Sequence, residues 1–206
     1  MKTSEKFLKM QEKEEFILAS ASPRRKALLE EAGLVFCMET SDIDEVNGGE
    51  GMNPKEIVLL NAQRKAYAVS ARHAGKNILS ADTMVVCDGK IIGKPADLNE
   101  AKSILNHLSG KMHEVLTAVV WLAPKKQASF KEIACTKVFF LRLTDHLIED
   151  YLNKVNVLDK AGAYALQEHG EMLIEKIEGS LTNVIGLPME IVGKFLKIEL
   201  PSSYNS

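Results

Sequence analysis

Apolar and polar positions along this chain alternate between strand-like and helix-like spacing. The run Phe16-Ile17-Leu18-Ala19 is short and unbroken, which predicts a buried strand. Ser22 then offers a capping hydroxyl and Pro23 suits the first helical position, so a helix is expected over 23–32 with Gly33 just past its end. A second strand is expected over 34–39. An acidic connection, Ser41-Asp42-Ile43-Asp44-Glu45, leads into a loop marked by Gly48, Gly49 and Gly51, and Pro54 opens a long helix to about residue 73. Residues 77–87 predict a strand that turns at Asp88-Gly89 and returns through 90–92. Then come a helix over 97–108, closed by Gly110, and two strands over 114–122 and 133–143, rich in β-branched and aromatic residues. Thr144 caps a helix to about 155, a strand is expected over 172–177, and Pro188 opens a last helix to about 196.

Helices and strands are interleaved, and strands neighbour one another late in the chain. That pattern predicts an α/β fold with a mixed sheet, not a strictly alternating parallel one. A length of 206 residues suits one domain, placed at 15–200 between an N-terminal extension at 1–14 and a tail at 201–206.

Composition narrows the function. The formal charge is only −2, so no global basic field attracts nucleic acid, and any grip on an anion must be local. Cys37, Cys87 and Cys135 are odd in number and far apart in sequence, which fits buried thiols in a reducing compartment better than a disulfide framework. Residues 1–14 are rich in lysine and glutamate, unlike a secretory signal, and no run approaches the ~20 apolar residues that span a bilayer. A cytoplasmic protein without membrane attachment is expected.

Three places carry candidate chemistry. Arg24 and Arg25 stand in the first turn of the first helix, where the helix dipole disfavours cations. Free backbone N–H groups, two guanidinium forks and the hydroxyls of Ser20 and Ser22 together suit an anion such as a phosphate. The alternative is that both arginines face solvent and Ser22 merely caps. Asp82 lies inside the apolar run Ile78 to Val86, where a carboxylate must be paired, metal-bound, or at a strand end facing a cleft; otherwise it faces water on an alternating strand. Lys94, brought back by the hairpin, suits a place near Asp82, although a lone lysine is more often on the surface. Lys65 by itself reads as an ordinary charged helix position, and Asp44 and Glu45 as an ordinary acidic loop unless they join Asp82 around a divalent cation. His113 and Trp121, each in a predicted strand, read as structural. No P-loop, Gly-x-Gly-x-x-Gly, Gly-x-Ser-x-Gly or His-Glu-x-x-His pattern is present.

Six segments in order resemble the Maf (septum formation) proteins, a family of nucleoside triphosphate pyrophosphatases. They are Leu18 to Arg25, Ala81-Asp82-Thr83, Gly93-Lys94-Pro95, Ser109 to Val115, Ala161 to Gln167, and Gly179-Ser180 with Asn183 to Pro188. The resemblance implies two α/β lobes around an elongated, bent mixed sheet, with flanking helices and a central substrate cleft. It implies a divalent cation, Mg²⁺ or Mn²⁺, a nucleoside triphosphate substrate, and commonly a homodimer. By resemblance Asp82 is the catalytic aspartate, with Glu45 beside it at the metal. Ser20, Ser22, Arg24, Arg25, Lys65 and Lys94 then bind the phosphates. Arg24, Thr83 and Gln167 match the branch acting on dTTP and UTP; the 7-methyl-GTP branch typically inserts a tryptophan after the proline, which this chain lacks. The amide of Gln167 suits the O4/N3 edge of uracil or thymine. The implied reaction is in-line attack of water on the α-phosphorus. The rivals are a septation regulator that binds nucleotides without turnover and a pyrophosphatase for purine or 7-methyl-GTP substrates.

Overall fold

The computed structural model describes residues 15–47, 53–198 and 200. The extension expected at 1–14, the glycine loop at 48–52 and the tail at 201–206 lie outside the described residues.

Seven strands form one mixed sheet in the order β2-β1-β3-β5-β6-β7, with β4 on β3. The parallel part joins β1 (Phe16–Ala19) to β2 (Phe36–Glu39) and β3 (Asn77–Cys87). Its connections are the helices α1 (Pro23–Glu31) and α2 (Pro54–Arg72). β4 (Lys90–Ile92), β5 (Met112–Ala123), β6 (Ala128–Phe140) and β7 (Ile174–Glu178) add antiparallel pairs. Helices α3 (Leu98–Leu108), α4 (Asp145–Lys154), α5 (Leu181–Ile185) and α6 (Met189–Leu196) complete the chain.

Most caps form as the sequence requires. Ser22, Asn53, Asp97 and Thr144 each accept from a backbone N–H of the helix they open, and Gly33 takes the left-handed conformation past α1. β6 and the last strand differ from expectation. β6 starts at Ala128 and ends at Phe140, not 133 and 143, because continuous pairing with β5 recruits residues 128–132, with the polar Ser129, Lys131 and Glu132 among them, into the ladder. Leu141 instead donates its N–H to the Leu173 carbonyl. The last strand begins only at Ile174, after a tight helical turn at Gly170–Met172.

Side chains of β3 alternate between two cores. Leu79 and Ala81 face α1 and α6, packing with Phe16, Leu28, Trp121 and Val192. Ile78, Met84 and Val86 face α2, with Ile57, Ala62 and Val69. Farther along, Val85 and Cys87 enter a third core with Leu105, Val115, Phe140 and Tyr151, beneath α3 and α4. The long strands β3, β5 and β6 thus run from one packed lobe into another. Cys87 is buried there, but Cys37 and Cys135 are exposed, which corrects the expectation of three buried thiols. Both sit at outward positions of a strand, where periodicity and not residue type sets exposure. Among the described residues, no helix is long and apolar enough to cross a membrane.

His113 sits in the third core, 1% exposed, with Nε2 2.9 Å from the Tyr164 hydroxyl and its ring edge-on to Phe140 and Tyr164. Burial lowers its pKa to about 4, so the ring is neutral at neutral pH. Its folded pKa lies below the unfolded value of 6.5, so the stability it protects is intact above pH 6.5 and is lost as pH falls toward 4. The linkage reaches about 3 kcal/mol. Urea titrations at pH 7 and pH 4.5 should show a smaller difference in His113→Phe than in the native chain, and an equal difference would exclude this account.

Candidate active site

A break in one edge of the sheet creates the site. β1 pairs with β3 only through Leu79, and β4 rejoins the same edge only at Val85. Between them β3 has no strand neighbour on that side among the described residues, while β5 continues uninterrupted on the other. The break leaves a cleft of about 480 Å³ lined from both lobes. Asp82 and Thr83, successive residues of β3, point to opposite faces at this break, so the α2 side receives a carboxylate and the α1 side a hydroxyl.

Asp82 is mid-strand and 4% exposed, not at a strand end. It is paired: Lys65 Nζ lies 2.6 Å from Asp82 Oδ1 and 2.6 Å from Glu45 Oε1. Lys65 is itself buried, contrary to its reading as an ordinary helix-surface position. It projects from α2 one turn after Asn61, so both side chains meet β3 on one helix face. Asn61 is fully buried, accepts from Val46 N–H, and donates to the Val46 carbonyl and, at 3.3 Å, to Asp82 Oδ2. It therefore straps the segment carrying Glu45 to the strand carrying Asp82. Burial pushes the Glu45 carboxyl up, but the Lys65 hydrogen bond and the charges of Lys65, Lys94 and Arg25 outweigh it and hold the pKa below its usual value. Lys94 lies after β4 with Nζ 3.7 Å from Glu45 Oε2 and stays largely exposed.

The α1 side is organised by Arg25. Its guanidinium donates from Nε to the Gly186 carbonyl, from Nη1 to Ser20 Oγ and the Ala81 carbonyl, and from Nη2 to Thr83 Oγ1. Ala81 sits on the open edge, so Arg25 satisfies a carbonyl that has no strand to bond. One N–H of the five is left for a ligand. Burial lowers the Arg25 pKa, with Asp82 and Glu45 opposing that shift. The Thr83 hydroxyl lies between Arg25 and Thr117 Oγ1, 3.0 Å away, and Thr117 in turn donates to the Asn183 carbonyl. Ser20 Oγ also accepts from Ser22 N–H, and Ser22 Oγ caps the Arg25 N–H. Pro23 carries no N–H, and the N–H groups of Ala21 and Arg24 have no hydrogen-bond partner among the described residues. The Arg24 side chain instead reaches Asp159 at 3.0 Å. Gln167 is exposed at the rim, on the turn that begins at Ala161.

The cleft thus gathers Ser20, Ser22, Arg24, Arg25, Glu45, Lys65, Asp82, Thr83, Lys94 and Gln167 in one place. Asp44 falls on an adjoining hollow. Sequence reasoning did not find Asn61, Asp159, Lys160 or Gly186. The spacing of Asn61 from Lys65 was the available signal for the first, since a residue one turn before a buried lysine shares its face.

A family model described as Maf-like protein matches residues 15–199. The chain belongs to the Maf family. A curated relative from Akkermansia muciniphila, named dTTP/UTP pyrophosphatase, is 45% identical over 87% of this chain and 94% of its own length. Another of that name, from Citrifermentans bemidjiense, is 46% identical over 84% of this chain and 89% of its own length. A solved structure, the Ham1 protein of Staphylococcus aureus, aligns over 89% of this chain and 98% of its own at 13% identity, with a TM-score of 0.46. That likeness carries no weight beside the Maf match, and the fold is read from the sheet itself.

Another group of metal-binding residue types occurs among the described residues. Cys87, Asp88 and His107 hold ligand atoms within 4.8 Å of one another. It lies at the far end of β3, and Lys111 Nζ already occupies Asp88 at 2.8 Å. A thiol and an imidazole also suit soft cations, not the hard cation of phosphate chemistry.

Proposed function

We propose that this Maf protein hydrolyses dTTP and UTP to the nucleoside monophosphate and pyrophosphate. The observation that carries the reading is the buried Asp82 at the sheet break, on the α2 side of a cleft that the Ser20–Arg25 turn lines from the α1 side. The names of the relatives supply the substrate class. Water attacks the α-phosphorus, and its oxygen bonds to phosphorus as the bond to the α–β bridging oxygen breaks. That oxygen leaves with pyrophosphate. Asp82 orients the water and accepts its proton, using lone pairs that Lys65 and Asn61 leave free.

The carboxylates of Glu45 and Asp82 fit a hard divalent cation such as Mg²⁺ or Mn²⁺, because the donors are oxygens and a phosphate completes the set. Lys65 bridges one oxygen of each, so the two carboxylates would hold the cation through lone pairs that Lys65, Asn61 and Lys94 leave free. When bound, the cation supplies charge neutralisation on the phosphates. Lys94, the Arg24 N–H and the remaining Arg25 N–H supply the rest from the protein, in a preorganised field. Ser20 and Ser22 shape the turn that presents those donors.

For selection of the base, Gln167 pairs its amide with the O4/N3 edge of the pyrimidine. Thr83 acts through Arg25 and Gly186, since its hydroxyl is already engaged. The wider reading includes a cytoplasmic setting, one domain spanning 15–200, and a homodimer, which light scattering on the purified protein reads directly. The test of function is pyrophosphate release with Mg²⁺ from dTTP, UTP, CTP, GTP and 7-methyl-GTP. Turnover greatest for dTTP and UTP is expected. Preference for 7-methyl-GTP excludes the pyrimidine reading, and tight binding without turnover favours a regulator.

A further inference from the structure

We propose that Asp159 is a positioning residue for substrate selection, holding the Arg24 guanidinium against the loop that carries Gln167. Neither residue type nor spacing singles Asp159 out in the sequence. The proposal rests on the dTTP/UTP reading and extends it to a residue outside the six family-like segments.

Arg24 has reason to be mobile. It projects from the N-terminal turn of α1, next to Arg25 and the positive end of the helix dipole, where a second cation is repelled. Its guanidinium nonetheless has a defined partner, Asp159 Oδ2 at 3.0 Å, on the opposite wall of the cleft. An exposed ion pair of this kind adds little to stability on its own. What distinguishes this one is the support behind the carboxylate. Lys160 is buried, with its side chain 5% exposed, and its ammonium lies 2.9 Å from Asp159 Oδ1 and 3.2 Å from Glu168 Oε1. It also donates to the Asn156 carbonyl. All three ammonium protons are thereby directed, and two carboxylates are fixed around one buried charge.

The result is a chain of alternating charge, Arg24–Asp159–Lys160–Glu168, that crosses the cleft and ends beside Gln167. Burial pushes the Asp159 carboxyl up, but the hydrogen bonds from Lys160 and Arg24 prevail and keep it ionised. A nucleotide whose base reaches Gln167 therefore meets Arg24 in one orientation and does not have to immobilise it, which lowers the entropic cost of binding. Asp159 touches no reacting atom, so its effect belongs to KM and to selectivity, not to the chemical step.

The experiment compares the native chain, Asp159→Asn, Asp159→Glu, Arg24→Ala and the double variant Arg24→Ala/Asp159→Asn in steady-state pyrophosphate release from dTTP, UTP, CTP and GTP. Asp159→Asn is expected to raise KM for dTTP and UTP about 5- to 10-fold, to narrow the preference over CTP and GTP by a similar factor, and to change kcat less than about threefold. Asp159→Glu restores most of the KM. In the Arg24→Ala background the Asp159 substitution has no further effect, since the two act as a unit. Unchanged KM and selectivity in Asp159→Asn, or an equal KM increase with and without Arg24, overturns the proposal. So does a fall in kcat alone. The native chain separates this from failure of the proposed activity: if it turns over no nucleotide, that activity is excluded. The same double-variant cycle read as dTTP dissociation constants by calorimetry then decides the positioning role.

Discussion

Asp82→Asn is expected to lower kcat for dTTP and UTP by about 10³-fold, with a small change in KM. The side chains have the same shape, so the strand and the sheet break persist. The amide oxygen still accepts from Lys65, whose second partner Glu45 is untouched. What disappears is the basic carboxylate that, in the proposed mechanism, takes the proton of the attacking water and offers an anionic ligand to a cation. Binding groups on the α1 side lie on the other face of β3 and keep their bonds to Ala81, Thr83 and Gly186. The measurement is pyrophosphate release at saturating nucleotide, with dTTP affinity by calorimetry and a thermal melt on the same sample. A kcat within tenfold of the native chain would remove Asp82 from the reaction. A collapse of affinity with an unchanged melt would recast it as a binding residue.

Local structure was largely legible because local rules wrote it. Pro23 after Ser22, Pro54 after Asn53 and Asp88-Gly89 each act within a few residues, and the elements at those points begin or turn where expected. β6 starts earlier than expected because Ala128 to Glu132 hold one large apolar residue, Phe130, and become a strand through pairing with β5. α5 was missed for a related reason: its five residues bury little by themselves, and a Ser180 cap together with the Asn183 side chain bonding to Val115 and Thr136 holds it.

The site was legible in residue types more than in geometry. Asp82 in an apolar strand demanded a partner, but nothing in sequence named Lys65, 17 residues earlier, as that partner. Arg25 looked like a free phosphate fork, yet four of its five N–H groups are taken within the protein, one of them by the Ala81 carbonyl on the open edge of β3. The separation of Arg24 toward Asp159 and Arg25 toward Ala81 depends on where the two lobes meet, which is a tertiary fact.

Lys65→Met is expected to be the most destabilising single change at this site. Methionine fills much of the volume but leaves Asp82, 4% exposed, with only the 3.3 Å contact from Asn61, and removes the bridge to Glu45. Breaking a buried pair by deleting one partner costs about 3–5 kcal/mol, because the remaining charge stays desolvated. For a chain of this size the melting temperature should fall by about 10 °C. Glu45 is less affected, since its side chain is 35% exposed and can turn to Lys94 and water. The double variant Lys65→Met/Asp82→Asn should therefore be more stable than Lys65→Met alone, despite carrying one more substitution. Removing the stranded charge recovers more than the second change costs. Additive losses in the double variant would show that Lys65 stabilises the fold by burial of its apolar stem, and not by neutralising Asp82. Activity gives an independent reading of the same point. Both variants should be inactive, but only Lys65→Met should regain stability on adding Mg²⁺ or Mn²⁺, because it alone keeps the Asp82 carboxylate for a cation to neutralise.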